Sequence, residues 1–145
     1  MDRMTLKGRG ITGGLAEAEA LVTDMPFSFG HGLDTNTGEL IDTEIHDLYG
    51  QNVKGKVLVF PYGKGTSSGG LYIMQAVKRG NAPAAVINIK TDPICATGFI
   101  LAEILYNKKI PVVDQLQQNM AEIIRTGDRV KVDGDRGVVE VISEI

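Results

Sequence analysis

Three short apolar runs, Lys56 to Phe60, Ala84 to Ile89 and Ile110 to Val113, alternate with segments of helical spacing. Runs of this length read as strands buried on both faces, and strands alternating with helices read as βαβ units in a parallel sheet. From Val53 onward the chain therefore reads as a βαβαβ unit. A helix is expected over Leu71 to Lys78, with Leu71, Met74 and Val77 at i, i+3 and i+6 and Gly80 as its stop. A second is expected over Phe99 to Leu105 and a third over Gln115 to Arg125. Pro111 falls near the start of its strand, where a missing donor does least harm. Arg129 to Val132 and Val138 to Ile142 flank Asp133-Gly134-Asp135-Arg136-Gly137, a hairpin by alternation and turn chemistry.

The N-terminal third is punctuated by glycine and rich in strand formers. Leu6 to Ile11 reads as a strand. Ala16 to Thr23 gives a divided signal, because its alanines favour helix and its period of two favours strand. Met25 to Phe29 reads as irregular structure, Asp34-Thr35-Asn36-Thr37-Gly38 as a turn, and Glu39 to Ile45 as the returning strand. Glycine makes up 18 of 145 residues, well above an average usage of roughly 7%. The expected whole is an α/β fold filling one domain, residues 1–145, with a β-rich N-terminal section and a C-terminal hairpin around the βαβαβ centre.

Composition excludes several functions. An apolar content of 43% supplies a core, and a net charge of −3 without a basic stripe argues against nucleic acid as a partner. The apolar runs are too short to span a bilayer, and the polar N-terminus does not resemble a signal peptide, so a soluble cytoplasmic protein is expected. Cys95 is the only cysteine, and the two histidines are His31 and His46. One thiol cannot hold an iron–sulfur cluster, which needs three or four, so demanding metal chemistry has to come from a partner. His46, within Asp42-Thr43-Glu44-Ile45-His46-Asp47, reads better as a solvated strand end than as a metal ligand. His31, between two glycines, reads as a turn residue or a site-lining one. Cys95 reads as a buried small apolar side chain.

The chemistry-bearing segment is Gly63-Lys64-Gly65-Thr66-Ser67-Ser68-Gly69-Gly70, which links the first apolar strand to the first helix. A helix N-terminus presents unpaired N–H groups to an anion, and here hydroxyls stand beside them. The segment is not a P-loop, lacking the four-residue gap before a Gly-Lys pair. It is not a dinucleotide turn, because Ser68 stands where the third glycine is required. Three uses remain open: a serine cap on an ordinary helix, an anion cradle, or a hydroxyl made basic by fixed N–H donors and able to take a proton from carbon. Thr66 and Ser67 are the candidate catalytic hydroxyls. Gly63, Lys64, Gly65, Ser68 and Gly69 are the candidate substrate-binding residues.

In order and spacing, several short segments resemble the small subunit, or swivel domain, of the aconitase X family. They run from Gly13-Gly14-Leu15-Ala16-Glu17-Ala18-Glu19-Ala20-Leu21-Val22, Phe27-Ser28-Phe29-Gly30 and Asp34-Thr35-Asn36-Thr37-Gly38 through Val53-Lys54-Gly55-Lys56-Val57-Leu58-Val59-Phe60-Pro61 and Gly63-Lys64-Gly65-Thr66. They end with Asn81-Ala82-Pro83-Ala84-Ala85-Val86-Ile87, Ile110-Pro111-Val112-Val113 and Thr126-Gly127-Asp128-Arg129-Val130. The resemblance implies a swivelling β/β/α fold like the mobile domain of aconitase. It also implies a hydro-lyase whose larger catalytic subunit carries iron or a [4Fe-4S] centre, with no cofactor in this chain. Family activities are dehydration of mevalonate 5-phosphate to trans-anhydromevalonate 5-phosphate, in isoprenoid biosynthesis, and dehydration of cis-3-hydroxy-L-proline. A non-catalytic anion-binding or assembly module is the alternative. The family's proton-accepting serine follows Gly-Arg/Lys-Gly, and Thr66 holds that position here. Phe29-Gly30-His31-Gly32 stands where the family more usually has Phe-Trp/Leu-Gly-Gly.

Overall fold

The structure is a computed structural model that describes residues 3–45, 47–64 and 68–142. Its eight strands are β1 (Arg3–Lys7), β2 (Arg9–Thr12), β3 (Leu15–Val22), β4 (Val57–Val59), β5 (Ala85–Ile87), β6 (Val112–Asp114), β7 (Arg129–Asp133) and β8 (Val138–Ile142). They form one sheet in the order β1-β8-β7-β3-β4-β5-β6-β2. β3, β4, β5 and β6 run parallel; the pairs β1–β8, β7–β8, β3–β7 and β2–β6 are antiparallel. The end strands β1 and β2 are consecutive in the chain and separated only by Gly8, so the sheet curls until its two edges meet. At that junction the Gly8 N–H donates to Gly137 O at 2.7 Å. A Cβ on Gly10 would collide with Gly134 O, so only glycine allows this approach.

The strand pleat sorts side chains into two cores. Val57, Val59, Ala85, Ile87 and Val113 point into the curled sheet with Ala18, Ala20, Val130, Val132, Val139 and Val141. The intervening Leu58, Val86 and Val112 point outward under the crossover helices. Those helices are α2 (Gly69–Arg79) and α3 (Pro93–Tyr106); α1 (Phe29–Gly32) and α4 (Met120–Ile123) are single turns. Burial on both faces explains why the central strands are uniformly apolar. Burying each such side chain is worth about 1.5–3 kcal/mol.

The βαβαβ centre and the terminal hairpin stand as expected, and Gly80 ends α2 at φ 76°. Period-two alternation wins in the divided segment, where Leu15–Val22 is a strand. Three expectations are corrected. The Leu6 to Ile11 strand breaks at Gly8. The Glu39 to Ile45 strand is absent: Leu40 and Glu39 make only isolated bridges to Leu33 and Asn52, and the chain then turns. The helix over Gln115 to Arg125 shrinks to α4, because the preceding amides are committed elsewhere. The Gln115 N–H donates to Ile89 O at 3.0 Å, that of Gln117 donates to Lys7 O at 3.0 Å, and Asn119 then caps α4 through Ala121 N.

Asp114, at the end of β6, is the most consequential buried polar group. Its side chain is 0% exposed. It accepts Arg9 Nε at 2.9 Å and Nη2 at 2.8 Å from β2, and the Thr91 N–H at 2.7 Å. Burial alone would raise its pKa. The Arg9 hydrogen bonds, the Thr91 N–H and the Arg9 charge outweigh burial and hold it below its ordinary value of 3.8. Its stabilising contribution is therefore complete above pH 3.8 and is lost as pH falls through the lower folded value. Asp114→Asn is expected to cost about 3 kcal/mol at neutral pH, read from urea melts. The gap to the parent should narrow as pH drops below the ordinary carboxylate range; a gap independent of pH contradicts the assignment.

Candidate active-site cleft

The cleft lies beyond the C-terminal ends of β4 and β5, where the chain turns into α2 and α3. Parallel sheets place ligands at this position. Asn88, just past β5, fixes the two strand ends: its Nδ2 donates to Phe60 O at 2.9 Å, and its Oδ1 accepts from Thr91 Oγ1 at 3.1 Å. The Ile89 N–H donates to Pro61 O at 3.0 Å. Two strand ends locked in this way present two helix N-termini side by side.

The cavity measures about 430 Å³. Its apolar side is Phe27, Phe29, Phe60 and Ile73; its polar side includes Ser28, Gly63, Lys64 and Asp92. The rings pack edge to face, Phe27 with Phe29 at 5.0 Å and with Phe60 at 5.4 Å, and Phe29 with Phe99 at 5.7 Å. Such a cluster is rigid and gives the cleft a fixed hydrocarbon floor. Gly63 pairs with Phe27 as a parallel bridge, and the Lys64 N–H donates to Phe27 O at 3.1 Å. The segment entering the hydroxyl loop is thus stitched to the aromatic floor.

The sequence-predicted residues divide as follows. Gly63, Lys64 and Gly69 line the cleft. Ser68 stands at the start of α2 with helical dihedrals, φ −82° and ψ −2°, and its side chain makes no cap bond. The serine-cap use of this loop therefore does not hold at Ser68. Gly65, Thr66 and Ser67 lie outside the described residues, as does His46. Lys64 and Ser68 are the described residues that flank the candidate hydroxyls in sequence. Lys64 Nζ lies 2.8 Å from Glu44 Oε2 and 3.2 Å from Asp42 Oδ2. Hydrogen bonds to Glu44 first and Asp42 second raise its pKa, so a charged ammonium sits at the cleft with its charge largely compensated.

Sequence reading missed Asp92. It caps α3, its Oδ1 accepting the Cys95 N–H at 2.8 Å, and its Oδ2 occupies the space a Cβ on Gly63 would need. The signal was present: Asp followed by Pro is an N-cap and N1 pair, which places the helix start at Pro93, six residues before the expected Phe99. Cys95 is buried in the first turn of α3. Burial, and secondarily the Asp92 carboxylate, push its thiol pKa far upward. Among the described residues no group of three or more His, Cys, Asp or Glu is arranged to hold a metal, and no helix is long and apolar enough to cross a membrane.

This fold and cleft are those of a swivel domain, and the chain belongs to the aconitase X swivel-domain family, whose model matches residues 5–141. The small subunit of phosphomevalonate dehydratase from Methanocella arvoryzae is 49% identical over 95% of this chain and 99% of that protein. The corresponding small subunit of Methanocaldococcus jannaschii is 44% identical over 97% of this chain and 100% of that protein. The crystal structure of Thermococcus kodakaraensis aconitase X in its holo-form superposes with a TM-score of 0.87 at 41% identity, covering 97% of this chain and 99% of that one.

The environment of Cys95 makes a direct prediction. Its thiol should resist disulfide reagents in the folded chain and react only at the rate of unfolding. Rapid native-state modification would show that the first turn of α3 is not packed as described.

Proposed function

We propose that this chain is the small subunit of a two-subunit hydro-lyase that dehydrates mevalonate 5-phosphate to trans-anhydromevalonate 5-phosphate in the cytoplasm. The observation that carries this reading is the end-to-end similarity to phosphomevalonate dehydratase small subunits. Beside it stands a cleft whose wall is continuous with the hydroxyl loop.

The substrate suits the cleft chemically. It has a carboxylate, a phosphate and a branched hydrocarbon centre. The helix N-termini and loop N–H groups favour the anionic groups, and the aromatic floor suits the hydrocarbon. Thr66, with Ser67 as the second candidate, removes the proton α to the carboxylate. The C–H electron pair forms the new double bond as the C3–O bond breaks; the oxygen leaves with its bonding pair as hydroxide and takes the abstracted proton back from the loop hydroxyl, so water is released and the base is restored. An alkoxide needs fixed donors around it, and the N–H groups between Gly65 and Gly69 are the available ones. Lys64 is paired with Glu44 and Asp42, so it meets a substrate anion only by exchanging one of these carboxylates for it. An iron or [4Fe-4S] centre in the larger subunit would supply polarisation of the departing hydroxyl.

The test is the assembled pair. Thr66→Ala should lower kcat by about two to four decades while the two subunits still co-purify. Ser67→Ala, assayed in parallel, decides which hydroxyl acts. Near-parental turnover in both variants removes the loop hydroxyls from proton transfer. Turnover of cis-3-hydroxy-L-proline in place of mevalonate 5-phosphate would overturn the substrate assignment.

A further inference from the structure

Outside the cleft, the molecule's most unusual surface is the seam between α2 and α3. Among the described residues Leu71 and Ile104 are the two most exposed large apolar side chains, at 70% and 68%; Leu15 on β3 is next at 61% and Leu105 follows at 59%. On α3, Ile94, Thr97, Leu101, Ile104 and Leu105 fall at i, i+3, i+7, i+10 and i+11, which is one face of a helix. On α2, Leu71 and Met74 face them. A groove of about 290 Å³ runs between the two rows. Gly70 and Gly98 let the helices close on each other: a Cβ on Gly98 would lie 3.0 Å from Ile73 Cβ and 3.1 Å from Gly70 Cα. At about 1.5 Å per residue, the 14 residues of α3 extend this apolar strip for roughly 20 Å. Glu103, the only charged residue of α3, lies on the opposite side of the helix.

The strip begins at the cleft. Pro93 and Ile94 line both the cavity and the groove, and Gly69 and Gly70 belong to one each. Leu71 is three residues from Ser68, which opens α2. Whatever covers the seam also reaches the cleft wall at Pro93 and Ile94.

We infer that the α2–α3 seam, centred on Leu71, Leu101 and Ile104, is the surface on which the larger subunit docks, presenting an apolar wall that also closes the cleft. This rests on the reading of the chain as a small subunit, and that reading selects the larger subunit over a second copy of this chain as the occupant. The strip is apolar at its centre and continuous with the reaction site, as a joint between two subunits sharing one site requires.

The experiment co-expresses the chain with the larger subunit of the same enzyme and measures pairing by titration and light scattering. Leu71→Asp and Ile104→Asp, singly and together, are compared with Leu15→Asp, another highly exposed leucine at the opposite end of the parallel sheet. Because both target side chains are exposed, the variants should keep the parental melting temperature. Each should weaken pairing by at least about tenfold, and the double variant should abolish it, while Leu15→Asp pairs normally. Parental-strength pairing by the folded double variant overturns the docking surface and leaves the dehydratase reading intact. A parent chain that never pairs with the larger subunit overturns both. A parent chain that dimerises with itself through this seam, and keeps doing so in the complex, overturns the choice of occupant.

Discussion

The Asp114 carboxylate joins the parts of this molecule that have to stay in register. From the end of β6 it holds Arg9 of the edge strand β2 through two hydrogen bonds and the Thr91 backbone through a third. The first connection seats the edge strand β2 on its neighbour β6, beside the Gly8–Gly137 contact at which the two sheet edges meet. The second fixes the turn that ends one residue before Asp92, the cap of α3. A buried carboxylate tolerates loss of water only with such partners. The same buried carboxylate therefore holds the edge strand β2 in place and sets the height of one wall of the cleft.

That coupling explains why the site can be shallow and still well defined. Asn88 locks β4 to β5, Asp92 seats against Gly63, and four phenylalanine rings fix the floor. Of the residues flanking the hydroxyls in sequence, Lys64 is bonded to Phe27 O and Ser68 opens α2. Pro93 and Ile94 carry the cleft wall over into the apolar strip of α2 and α3.

Much of this was legible in the residues. The short apolar runs of β4, β5 and the start of β6, the Gly80 stop and the Asp133–Gly137 turn each carry a local physical signature. The divided Ala16–Thr23 segment resolved as strand because Ala18 and Ala20 fill a narrow interior that larger side chains would overpack. What could not be read were decisions made by distant partners. Gln117 gives its N–H to Lys7, so no helical pattern in Gln115–Arg125 could prevail there. Glu39 and Leu40 find only single bridging residues, so no strand grows. At the site, the glycine–hydroxyl loop was evident from composition. The role of Asp92 was not, because its second contact is with Gly63, 29 positions earlier in the chain. The resemblance to the swivel domain supplied the fold family and the expectation of a larger subunit, which pattern alone does not reach.

The most direct measurement of the central claim is hydrogen–deuterium exchange on the two-subunit enzyme with and without mevalonate 5-phosphate. The account predicts ligand-dependent slowing of exchange confined to the segments around Phe27–Phe29, Gly63–Leu71 and Asp92–Cys95. Protection that appears elsewhere on this subunit, or none at all while the substrate is being turned over, would place the reaction outside this cleft.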